Sequence, residues 1–251
     1  MRTLLTLLNR EIRSYFYQPI AYVVMFFVLI VAGFNFWIGV SLMVGSPTET
    51  TVVELAFNTV PFWMTFILIF PLITMRTYSE EYRQGTFETL TTAPVNDWQV
   101  VASKFFGSLF FYTVLWAPTF LHFVIFKWVA HQDAAEASGA FGGSYLLLFL
   151  LGAFFCAAGC LSSSLVKDQV NAAVICTCGM LIWFFIPFLP QILGKTDPKL
   201  NEFFNFFSAA DHMRQFSKGM IDSRAIIWYI TATAFLLVIN FLVFQRRKWK
   251  A

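Results

Sequence analysis

Apolar residues fall in six runs, at residues 20–44, 55–75, 105–126, 145–166, 170–193 and 225–244. Each is close to or above the roughly 20 residues a helix needs to cross about 30 Å of hydrocarbon. Polar positions within them are too sparse to mark a solvent-facing stripe, so the runs predict helices that are apolar all round. Ahead of the first run the pattern changes. In residues 2–17, Leu5, Leu8, Ile12, Tyr15 and Phe16 fall on one helical face, and Arg2, Thr6, Arg10 and Arg13 on the other. This predicts an interfacial helix over residues 1–18, lying in the membrane plane with its basic face, Arg10 and Arg13 included, towards lipid headgroups. Glu11 projects close to the apolar face, where an unpaired carboxylate is costly, so a basic partner is expected, Arg76 or Arg83. A secretory leader is the competing reading; the apolar run starts late for one, and no convincing small-x-small cleavage site follows.

Composition agrees with the pattern. Hydrophobic residues make up 58% and charged residues 12%, against roughly 45–50% and 25% in soluble domains. The expectation is an all-α integral membrane protein forming one domain over residues 1–251. A net charge of +3 gives no footing for nucleic acid. Six crossings put both termini on one side, and the basic residues choose it. The first helix, the 76–104 loop, Lys167 and the C-terminal tail hold eleven of the seventeen Lys and Arg. Both ends are therefore expected in the cytoplasm.

The longest polar interruption on that side is the loop 76–104. With its flanks, from Pro71 to Lys104, it holds four carboxylates, Glu80, Glu81, Glu88 and Asp97, and three cations, Arg76, Arg83 and Lys104. Its punctuation predicts three short helices. Thr77 with Glu80 has capping-box spacing, Gly85 can stop the turn in a left-handed conformation, and Thr86 can cap a second helix with Glu88 in its first turn. Pro94 ends that helix, and Asn96 with Gln99 starts a third. A compact helical platform of this kind suits docking into another protein's groove. A well-capped loop that only joins two spans is the alternative.

Elsewhere the polar signals are weaker. Gly152, Cys156, Gly159 and Cys160 stand at small-xxx-small spacing, which predicts close helix packing. The same two thiols could hold a soft metal such as Cu(I), but no third ligand is in register. Asn35, Asn58, His122 and Asn171 predict hydrogen bonds between helices more than a pathway. The outer loop, 194–224, carries Phe203, Phe204, Phe206, Phe207 and Phe216, too apolar for a solvated loop, so short helices dipping into the leaflet are expected. Asp211 and His212 are adjacent and do not converge as ligands. Gly194-Lys195-Thr196 ends like a phosphate-binding loop, but position 189 is Leu where the first glycine is required. With no paired carboxylates inside the spans and no nucleophile with a base, the chain is not expected to be an enzyme, nor to bind a cofactor or metal.

The segment EEYRQGTFETLTTAPVNDWQVVASK, with the six-span layout and the leading helix, resembles the membrane subunit of ABC transporters of the type 2 exporter family. That family's first cytoplasmic loop reads glutamates, a basic residue, Gly-Thr, Glu-x-Leu, Pro and then Lys. Here these are Glu80, Glu81, Arg83, Gly85, Thr86, Glu88, Leu90, Pro94 and Lys104. PLITMR, GAFFCAAGCLSSSLVKDQ and HMRQFSKGMIDSR are similar to the gliding-motility-associated branch. The resemblance implies a permease in a bacterial inner membrane, paired with a second identical or related permease. It implies cytoplasmic ATPase subunits carrying ATP and Mg, an extracytoplasmic accessory protein as a further partner, and ATPase coupling through Glu80 to Pro94. It also keeps open a subunit that transmits force without moving a cargo.

Overall fold

The computed structural model describes residues 2–45, 51–87, 95–130, 138–192, 194 and 198–248. Among them every regular element is helical. The order is α1 (Arg2–Phe16), α2 (Pro19–Gly45), α3 (Val52–Phe57), α4 (Val60–Thr74), α5 (Ser79–Gln84), α6 (Asp97–Trp116) and α7 (Thr119–Ala130). Then come α8 (Ser138–Leu165), α9 (Gln169–Phe185), a 3-10 turn at Ile186–Phe188, α10 (Leu189–Ile192), α11 (Pro198–Asn205), α12 (Ala209–Ser217) and α13 (Ser223–Lys248). Among the described residues six stretches are long and apolar enough to cross a membrane: Pro19–Leu42, Val60–Gln84, Asp97–Phe126, Gly139–Leu165, Gln169–Phe188 and Ser223–Lys248.

The second run breaks where side chains compete with the helix. Thr51 caps α3 by accepting from the Glu54 N–H, and the chain bends at Asn58 before Thr59 caps α4. The helix expected from Leu55 is therefore two, and Asn58 holds the bend by donating to the Glu54 carbonyl at 2.8 Å and to Ser217 Oγ at 3.3 Å. The third run starts earlier than its apolar residues. Asn96 and Gln99 form the expected capping box, so α6 begins at Asp97 and carries Lys104 inside a helix.

Helix α8 is the hub, packing against α4, α6, α9, α12 and α13. Its glycines set how close the neighbours come. A Cβ on Gly152 would sit 2.1 Å from the Tyr112 ring, and one on Gly159 2.1 Å from Thr74 Oγ1. Tyr112 uses the room to donate its hydroxyl to the Leu148 carbonyl at 3.0 Å. Cys156 and Cys160 are fully buried in this hub. An aromatic column of Phe62, Phe66, Phe70, Tyr112, Trp116 and Phe155 fills the space between α4, α6 and α8. Towards the other end, α12 packs on α3 and α8. His212 meets the Tyr229 hydroxyl at 3.2 Å there, and Lys218 pairs with Glu54 at 3.5 Å. Asn35 accepts from Thr59 Oγ1 at 2.7 Å.

The apolar stripe of α1 is partly covered by protein. Leu4, Leu7, Leu8, Glu11, Ile12, Tyr15 and Phe16 are the half-buried positions of that helix, and α6 is its main neighbour. Tyr15 stacks on Phe111 of α6 with ring centroids 5.1 Å apart. Gly107 makes the close approach possible, since a Cβ there would lie 3.0 Å from that of Glu11. Leu5 departs from the stripe and is 63% exposed.

Candidate functional site

Between α4 and α5 the chain turns through Met75–Tyr78, and this turn organises the polar base of the molecule. Thr77 and Glu80 do not form the expected capping box. Tyr78 is the N-cap of α5 in helical geometry and no side chain caps that end. The orphan donors are met from another helix instead. Ser163 Oγ on α8 accepts from the N–H groups of Tyr78 at 3.0 Å and Ser79 at 3.2 Å, and donates to the Met75 carbonyl at 3.1 Å. One hydroxyl so stitches the broken helix to the hub, meeting backbone groups whose burial without partners is costly. Thr77 Oγ1 faces the Tyr15 hydroxyl at 3.4 Å, and Glu80 binds Arg83 at 3.2 Å within α5.

A charged cluster lies beside this turn. Lys104 Nζ donates to the Thr77 carbonyl at 2.6 Å and pairs with Glu81 at 2.9 Å and Glu11 at 3.4 Å. It also lies 5.1 Å from the centre of the Tyr78 ring. Arg10 closes the cluster, reaching Glu11 at 3.0 Å and Glu81 at 3.1 Å. The partners of Glu11 are therefore Lys104 and Arg10. Arg76 and Arg83, the expected ones, lie elsewhere: Arg83 on Glu80, and Arg76 Nη1 on Gln18 Oε1 at 2.8 Å. Burial raises the Glu11 carboxyl, but the charges of Lys104 and Arg10, with their hydrogen bonds, outweigh it and hold the group below the usual carboxylate range. A lysine buried in an apolar helix needs such anions, and this is the signal by which Lys104 could have been assigned its role from sequence alone.

The last helix grips the same platform from the opposite flank. Lys248 pairs with Asp97 at 2.7 Å, Arg247 donates to the Leu165 carbonyl, and its guanidinium lies 4.5 Å from the Tyr82 ring centre. Tyr78, Tyr82, Phe87 and Phe244 pack in between. Neither Ser163 nor Arg247 was picked out by sequence reasoning for this purpose, because each acts on a segment far away in the chain.

What remains outward is a short face. Gly85 closes α5 at φ 72°, the left-handed geometry expected of it, and Arg83, Gln84, Gly85 and Thr86 are exposed. Glu80 and Glu81 are half-buried behind them. Glu88, Leu90 and Pro94 lie outside the described residues; of the second short helix expected at Thr86, Thr86 and Phe87 are described and are helical, and the rest lies outside. Among the described residues no group of His, Cys, Asp or Glu is placed to hold a metal ion.

The arrangement is a hydrogen-bonded knob tied to α1, α6, α8 and α13. Residues 35–244 match the family model described as ABC-2 family transporter protein. No curated protein matches the chain. Helix α1 lies before the matched range, so its part in the cluster rests on the geometry above.

Proposed function

This chain belongs to the ABC-2 family of transporter proteins, and from that premise we propose that it is the permease subunit of an ATP-driven exporter, worked by a separate cytoplasmic ATPase. The observation that carries the reading is the buried Lys104 cluster. It ties α5 to α1 and α6, while Ser163 ties the preceding turn to α8 and Arg247 brings in α13. A displacement of the exposed Arg83–Thr86 face is passed to all of these helices together, as expected of an element that moves as a body between two states. The ATPase would hold ATP and Mg, dock on this face and bias those states through differential contact. Both termini would be cytoplasmic, in a bacterial inner membrane, with a second permease beside the first.

The test uses the complex purified from its native membrane. In a chain freed of native cysteines, Gln84→Cys is expected to label from the cytoplasmic side and to cross-link to the ATPase, and Leu200→Cys to label from the other side. Labelling of both from one side would overturn the topology. ATP hydrolysis by the permease chain purified alone would overturn the division of labour. Vesicles holding the complex are expected to move one of a panel of lipids, glycans, drugs or peptides when ATP is supplied. Coupled hydrolysis with no movement of any class would favour the force-transmitting subunit suggested by the gliding-motility resemblance.

A further inference from the structure

A cleft of about 370 Å³ opens between α1, the start of α2 and the α4–α5 turn, a volume at the small end of ligand sites. Its two walls differ in character. Ile20, Val24, Leu72 and Ile73 line one part, and Arg10, Gln18, Arg76 and Glu81 another. The apolar part runs into an exposed stripe at helical spacing on α4, made of Leu72, Leu68, Met64 and Val60. An amphiphile entering from the membrane would find a path for its chain and a polar end.

The polar end carries two unanswered atoms of opposite kind. Glu81 Oε1 receives both Lys104 and Arg10, whereas Glu81 Oε2 is buried with no hydrogen-bond partner. Arg76 gives Nη1 to Gln18, while its Nε is buried and without a partner, and it forms no ion pair among the described residues. Charge counting separates the two. Within the cleft Lys104 and Arg10 pair with Glu11 and Glu81, and Glu80 is held by Arg83 from outside it, so Arg76 is the lining cation that has no carboxylate partner among the described residues. An anion belongs on Arg76, where a guanidinium can bind a phosphate through two donors, and an ammonium N–H belongs on Glu81.

We infer that this cleft holds the headgroup of a phospholipid bearing a primary ammonium, with phosphate on Arg76, ammonium on Glu81 Oε2 and an acyl chain along Leu72 and Leu68. A trimethylammonium has no N–H to give Glu81, and a glycerol headgroup has no cation. The inference concerns a site that shares Gln84 and Thr86 with the docking face, and its test does not involve the ATPase.

The experiment is native mass spectrometry of the detergent-purified, delipidated chain, titrated separately with phosphatidylethanolamine, phosphatidylcholine and phosphatidylglycerol of identical acyl chains. Phosphatidylethanolamine is expected to be retained about tenfold better than the other two, the effect of one charge-assisted hydrogen bond. R76Q is expected to lower its retention by a similar factor, and E81Q to abolish the preference over phosphatidylcholine. Equal retention of the three lipids by the unaltered chain would overturn the site even where a variant fails to fold. So would unchanged binding to a monodisperse R76Q protein. Displacement of the lipid by soluble phosphoethanolamine at equal concentration would instead assign the cleft to a free headgroup and overturn the lipid.

Discussion

Lys104 Nζ lies 2.9 Å from Glu81 Oε1, so a cation buried on the third span holds the carboxylate of the helix that follows the second. The pair closes most of the polar loop, from its first helix to its last residue.

Removing the cation strands two carboxylates. Lys104→Met is expected to destabilise the protein by about 3 kcal/mol, the low end of the cost of breaking a buried pair, because Arg10 still reaches both acids. Adding Glu11→Gln and Glu81→Gln in the same chain is expected to recover most of the loss. Thermal unfolding in detergent, followed by loss of the monodisperse peak, measures both. A triple variant no more stable than the single one would show that the cluster acts through something other than charge.

Acid should loosen the first helix. The Glu11 carboxyl is held lower in the folded protein than the ~4.3 of a free glutamate. Its contribution is thus complete above the unfolded value and fades as pH falls through the folded one. Amide exchange over residues 2–16 is expected to rise as pH drops below about 4.3 after correction for intrinsic rates. In Glu11→Gln that rise should shrink, and an identical profile in the variant would assign it to another group.

Gly85 separates shape from chemistry. Nothing lies within 4 Å of a Cβ built there, so only its φ of 72° opposes a side chain. Gly85→Val should strain the turn by roughly 1–2 kcal/mol and weaken ATPase association, while Gly85→Asn, which tolerates this region, should stay near the parent. Pull-down of the ATPase by each variant decides it, and equal capture by all three would remove the turn from the docking face.

The hub admits no methyl group at Gly152. Gly152→Ala puts a Cβ 2.1 Å from the Tyr112 ring, and overpacking of this kind costs roughly 1–3 kcal/mol. Tyr112→Leu in the same chain is expected to return part of the stability, as read by melting in detergent. An unaffected Gly152→Ala protein would mean that α6 and α8 can part without penalty.

The spans were legible because an apolar run of that length admits one solution in lipid, and the Asn96–Gln99 box and the left-handed Gly85 because both depend on neighbours in sequence. The partners of Glu11 were not. They depend on α1 crossing α6 at Gly107, which brings Lys104 over and leaves Arg76 to Gln18. The Thr77 cap failed for a related reason. The Thr77 and Glu80 N–H groups that the box would satisfy bond the Thr74 and Arg76 carbonyls instead, and a hydroxyl from α8, invisible at that distance along the chain, takes the Tyr78 and Ser79 N–H groups between them.

The two ends of the chain also meet the knob from opposite flanks, α1 through Arg10 and α13 through Lys248 and Arg247. The first and last described helices therefore share one clasp, and a bulky tag or fusion hung from either is expected to pull on the face proposed to dock the ATPase. A label placed on the far side of the membrane is expected to leave that clasp undisturbed.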